Sequence, residues 1–86
     1  MPRDTDIETQ TVLVEGPITL GQFLKWSGLA GSGGEAKLLV ETGVARLNGQ
    51  VERHRGRKLA QGDVVEVDGR ARRVGFGREG LSAAAG

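Results

Sequence analysis

Cysteine is absent from the 86 residues, which excludes a disulfide frame, a thiolate nucleophile and a thiolate zinc site. Histidine occurs once, so no second imidazole is present to share a metal. There is no tyrosine, and one tryptophan and two phenylalanines supply all the aromatic surface. A chain so poor in rings is not built to read single strands base by base. No apolar run approaches the ~20 residues that a membrane-spanning helix needs. The first ten residues carry acids and polar groups, not the basic-then-apolar order of a signal peptide. A soluble, cytoplasmic protein with no membrane contact is expected. Its length allows one domain, near the size where a single core only just suffices.

Net charge is also nearly absent, at +1 from 12 Lys and Arg against 11 Asp and Glu, but the total conceals an uneven distribution. Residues 1–24 set Arg3 against Asp4, Asp6, Glu8 and Glu15, a net −3. Residues 25–58 carry seven basic side chains and three acids, a net +4, and the remainder balances. The densest part is Arg53-His54-Arg55-Gly56-Arg57-Lys58, with four fixed positive charges and no acid among them. Such a cluster suits a polyanion.

Glycine is what the chain has in excess, 15 residues, and most fall where caps and turns are needed. Residues 11–15 read as a short strand stopped by Gly16-Pro17. Thr19 and Gln22 have capping-box spacing, Ile18 and Phe23 staple spacing, and Leu20, Phe23 and Leu24 share one helical face. Gly28 falls at the C-terminal cap. Ser32 and Glu35 repeat the capping box before Ala36, Leu39 and Val40, and Gly43 stops this second helix. Asn48-Gly49 then signals a hairpin, with Val51 expected on the inward face of a basic return strand. Gly62-Asp63 turns into the β-rich residues 64–68, and Gly69-Arg70 turns into a last strand at 71–74. The predicted fold is α+β: two short helices packed on one face of a small, mostly antiparallel sheet, with an extra N-terminal strand. Residues 1–10 and 76–86 are expected to be flexible tails around a single domain at 11–75.

Three text matches carry no chemistry. Gly31-Ser32-Gly33 with Ala36 imitates a dinucleotide fingerprint, but a helix precedes it where a strand is required. Gly75-Phe76-Gly77 lacks the companion aromatics of an RNA-recognition motif. Asp63 and Glu66 are accounted for by a turn and a strand. No catalytic residue, cofactor or metal is expected, and the chain reads as a non-enzyme.

The ordered series Ser32, Ala36, Leu39, Val40, Gly43, Ala45, Leu47, Asn48, Gly49, Lys58, Leu59, Gly62, Asp63, Val65 and Val67 resembles the RNA-binding domain named for small-subunit ribosomal protein four, the alpha-L fold. The resemblance spans residues 20–67, and residues 32–37 are similar to a subfamily of short, stand-alone members. It implies binding of structured RNA (ribosomal RNA, a ribosomal assembly intermediate or tRNA) by a monomer, through phosphates and shape. One departure is Gly33, where many members carry Arg after the capping Ser; a glycine-rich helix start still offers backbone N–H groups to phosphate. The RNA-contacting residues expected are Ser32, Gly33, Lys37, Arg46, Arg53, Arg55, Arg57 and Lys58, with the helix start and the return strand lining one groove. Arg46 among these, and Lys25 beside them, are weaker candidates of the same kind. The alternative is a protein-interaction module whose basic strip docks an acidic partner, with Leu38 or Trp26 as an apolar anchor. For Trp26, packing at the edge of the core is the first expectation and base stacking the second. Leu38 is left open between covering the first helix and lying exposed.

Overall fold

The computed structural model describes residues 9–77. Along the chain run β1 (Thr9–Val14), α1 (Leu20–Trp26), α2 (Gly33–Glu41), β2 (Arg46–Leu47), β3 (Gln50–Val51), β4 (Val64–Val67) and β5 (Arg70–Phe76). The strands form one sheet in the order β1-β5-β4-β2-β3, with β1 parallel to β5 and every other pair antiparallel. The α+β fold read from the sequence is therefore the observed one, and its N-terminal strand is the one that makes the sheet mixed.

Caps define both helices. At α1 the Gln22 N–H donates to Thr19 Oγ1 (3.3 Å) and the Thr19 N–H to Gln22 Oε1 (3.0 Å), a complete capping box. At α2 only half of the expected box forms. The Glu35 N–H donates to Ser32 Oγ (3.1 Å), but the Glu35 carboxylate reaches one residue further back and accepts from the Gly31 N–H at 2.6 Å. Gly28 and Gly43 end the helices at φ +83° and +80°, in the left-handed region where a Cβ is strained.

Both strand-joining turns are Asx-Gly pairs with two positive φ values, at Asn48-Gly49 and Asp68-Gly69, as two-residue hairpins require. The second turn is thus one residue earlier than expected, and Arg70 already belongs to β5. Asn48 does more than turn the chain. Its Oδ1 accepts from the Val64 N–H (2.9 Å) and its Nδ2 donates to Asp63 Oδ1 (3.1 Å), tying the β2–β3 hairpin to the start of β4.

Val12, Val14, Val65, Val67 and Val74 point to one face of the sheet and join Leu20, Phe23, Leu24, Ala36 and Val40 of the helices in a single core. Among the described residues no helix covers the opposite face, and Leu13 and Val51 are half-exposed there. Val51 therefore points away from the core, contrary to expectation, because β3 pairs only two residues and Val51 opposes the outward Arg46.

The sheet extends beyond the strand limits read from the sequence. Thr9 and Gln10 pair with Ala71 and Arg72, and Gly75 and Phe76 pair with Leu13 and Val14. Gly75 looks like the start of a frayed tail, yet it lies where a Cβ would meet Thr11 Cγ2 at 2.8 Å, so the missing side chain admits its neighbours. The expected tails otherwise lie outside the described residues. Among the described residues no helix is long and apolar enough to cross a membrane.

Candidate functional site

The basic cluster is not a strand. After Val51 the chain forms a loop whose tight turn closes with an Arg57 N–H to His54 carbonyl bond of 3.1 Å. The first amides of a helix have no acceptor within it. This loop supplies them for α1: the Leu20 N–H donates to the Arg57 carbonyl (2.8 Å) and the Gly21 N–H to the Arg55 carbonyl (3.0 Å). The Leu59 N–H donates to the Ile18 carbonyl, and Thr19 and Lys58 form an isolated antiparallel bridge. Backbone pairing thus fixes the loop against the start of α1, and the positions of its side chains follow from that docking.

Between the loop, α1 and the start of α2 lies a cleft of about 420 Å³. Gly21, Gln22 and Lys25 form one wall, Gly33 and Ala36 another, and Arg55 and Gly56 the third. Among the described residues no acidic side chain lines it. Lys37 is exposed one residue beyond Ala36. Lys25, Lys37 and Arg55 have no ion-pair partner among the described residues. Ser32 contributes by capping α2, and the amides of Gly33 and Gly34 have no protein acceptor among the described residues. Lys25, Arg55 and the start of α2 at Gly33 lie around one open hollow, with Lys37 exposed on the same helix, an arrangement that suits phosphate oxygens.

Of the groove expected from the start of α2 and the return strand, Gly33 and Arg55 line the cleft, whereas Arg53, Arg57 and Lys58 do not, nor does Arg46. Arg53 donates from Nη1 to the Glu41 carbonyl (2.9 Å) and lies over Gly43, closing the C-terminal end of α2. Arg57 pairs with Glu52 at 3.1 Å, and His54 Nδ1 lies 2.9 Å from the other oxygen of the same carboxylate. The run at 53–58 contains no acid, but the residue before it neutralises part of its charge. Hydrogen bonding from the His54 side chain holds the Glu52 carboxyl below its ordinary pKa against an opposing desolvation, aided by the His54 backbone N–H and the Arg57 charge. Arg46 points to the open face of the sheet, beside Glu66 and Asp68. Lys58 is exposed beside Leu59, Phe76 and Pro17, on a different hollow from the cleft.

Thr19 and Gln22 read in the sequence only as a helix cap, and Gly21 and Gly56 carry no signal of their own, although all four line the cleft. A signal for part of it was present. Gly21, Gln22 and Lys25 occupy the side of α1 opposite the buried Leu20, Phe23 and Leu24, as 100° per residue requires. What faced that side was not readable from α1 alone.

Trp26 and Leu38 are both well exposed, at 64% and 58%. Trp26 does not pack at the core edge; its indole N–H donates to the Leu13 carbonyl (3.1 Å), which holds the ring over the end of β1. Leu38 covers neither helix nor strand. No group of three or more potential metal ligands occurs among the described residues.

Comparison with known proteins agrees with this architecture. Residues 8–75 match the family model described as the S4 domain. Over 52 residues the chain is 48% identical to the "Probable ribosome maturation protein RlbA" of Bacillus subtilis (strain 168), a match covering 60% of this chain and 73% of that protein. A family match across most of the chain, with the helix pair, hairpin and β4 all inside it, leaves one conclusion: the chain belongs to the S4 domain family.

Proposed function

We propose that this protein is a non-enzymatic RNA-binding protein that recognises structured ribosomal RNA, in the ribosome or an assembly intermediate, by phosphate contacts and shape. The cleft walled by Lys25, Gly33 and Arg55, with no acidic side chain lining it among the described residues, is the observation that carries this reading. The ribosome-maturation name borne by the relative favours ribosomal RNA over tRNA as the partner. The protein acts in the cytoplasm as a monomer and needs no cofactor. Arg55 presents a planar fork that fits two phosphate oxygens, and Lys25 and Lys37 act as point charges on flexible stems. The backbone amide at Gly33 replaces the direct contact of the Arg that many members carry after the capping Ser. Few aromatic residues are available, so recognition rests on the spacing of backbone phosphates along a folded RNA.

A salt titration tests it. Neutralising about three phosphates gives a slope of log affinity against log salt near −2 to −3, at ~0.7–0.9 per contact. The double variant Lys25→Ala/Arg55→Ala should bind ribosomal RNA more weakly and flatten that slope by about 1.5. Arg46→Ala, on the far face of the sheet, should change neither. An unchanged slope in the double variant would remove the cleft from the reading. No affinity of the intact protein for ribosomal RNA at low salt would remove the function.

A further inference from the structure

Trp26 is the single tryptophan of the chain, and it is the most exposed large apolar side chain among the described residues. Its one polar atom is already used, because the indole N–H donates to the Leu13 carbonyl. That bond fixes the ring at the end of β1 and leaves an aromatic face as the part still available to a partner. Gln22 lies one turn before Trp26 and Lys25 one residue before it, and both line the basic cleft. With Leu20, Phe23 and Leu24 buried, these three side chains share the outward side of α1. A ligand whose phosphate is held at Lys25 is one residue along α1 from the indole.

The surroundings of Trp26 differ on its two sides. The adjoining Lys25 belongs to the cleft that α1 shares with α2 and the loop, which Arg55 also lines. Toward β1 lies a hollow of about 570 Å³ that Trp26 lines together with Leu13, Val14, Glu15, Pro17, Ile18 and Gly77. An anionic backbone is drawn to the first side and repelled from the second, whereas an uncharged, flat, apolar group is accepted by the second. A nucleotide has both parts in that order. We infer that Trp26 is a stacking platform for one unpaired nucleobase whose flanking phosphates occupy the Lys25–Arg55 cleft. This rests on the RNA-binding reading above and narrows it. The preferred RNA is a helical segment with a bulged or splayed nucleotide beside it, since a paired base has no free face to offer. Charge complementarity favours RNA over an apolar anchor on a protein partner, which would gain nothing from the adjoining cations.

Because no other indole is present, emission from Trp26 in the full-length protein reports directly on its own contact. The probes are an RNA hairpin with a single bulged nucleotide and the same hairpin with an abasic ribose at the bulge, compared at low salt. The two carry the same charge. The bulged hairpin should quench Trp26 emission and the abasic one should not. Affinity should drop about 5- to 150-fold on removing the base, the range measured for loss of one base–aromatic stack. Trp26→Ala should cause a similar drop with the bulged hairpin and little change with the abasic one. Trp26→Phe should keep most of the affinity, and both Trp26 variants should retain the wild-type salt slope and circular dichroism.

Equal weakening of both hairpins by Trp26→Ala would show a packing role and overturn the stacking. Wild-type affinity and no quenching, with Lys25→Ala/Arg55→Ala still impaired, would overturn the stacking while the RNA-binding reading stands. Trp26→Ala that loses association with ribosomal particles but binds the hairpin normally would assign the indole to a protein contact instead. Failure of the wild-type protein to bind either hairpin or ribosomal RNA would overturn both readings.

Discussion

Glu52 shows how much a single carboxylate can alter the meaning of a charge run. Its two oxygens face Arg57 and His54, two members of the cluster that looked unopposed in the sequence. The folded-state pKa of Glu52 is lowered. Its contribution to stability is therefore present above the ordinary carboxylate range and is lost as the pH falls through the lowered value. Thermal melts of wild type and Glu52→Gln check this. The variant should melt lower near neutral pH, and the two curves should converge in acid once the wild-type carboxylate is protonated. A gap that persists at the lowest pH would mean that the carboxylate charge is not its source. Asn48 is the opposite case, a residue whose sequence signal was unambiguous. Asn-Gly indicates a two-residue turn by itself, and the observed φ values agree. The same side chain also bonds Asp63 and Val64, fifteen and sixteen residues away, and that could not be read locally.

Elements were legible where their signals are local. Thr19, Gln22 and Gly28 mark α1, and Ser32 and Gly43 mark α2, because caps and left-handed stops act within a few residues. The return strand was misread because a basic run after a hairpin offers no periodicity to distinguish strand from loop. β3 ends at Val51, and the following backbone pairs with the start of α1 in place of β2. Arg53 illustrates the consequence. Its guanidinium serves the last turn of α2, where a cation also favours the negative end of the helix dipole. Arg53→Ala should destabilise the fold by about 1 kcal/mol, the scale of one net hydrogen bond. For a domain of this size that lowers the midpoint of thermal unfolding by about 4–8 °C. The slope of RNA affinity against salt should stay as in wild type. A flattened slope with unchanged melting would return Arg53 to the binding surface.

For the molecule as a whole, one small core carries two helices and a mixed sheet, with Phe23 fully buried at its centre. Removing that ring should cost about 3–5 kcal/mol. Against the roughly 4–13 kcal/mol expected of a chain this long, this is much of the total stability. Phe23→Ala should therefore show a greatly reduced midpoint in urea, followed by circular dichroism; a midpoint within a few tenths molar of wild type would mean the core tolerates the cavity. Helix positions, hairpins and the apolar faces were set by the sequence, through periodicity, caps and turn residues that act over one or two turns of chain. The resemblance of residues 20–67 to a known family was legible for the same reason, since the matching residues sit at fixed local spacings. Only the tertiary structure decided which cations share a surface. Arg46, Arg53, Arg57 and Lys58 are separated by sheet pleat, helix capping, ion pairing and loop direction, whereas Lys25, Gly33 and Arg55 meet across gaps of 8 and 22 residues. Convergence of that kind depends on long-range packing, which a charge count along the chain does not contain.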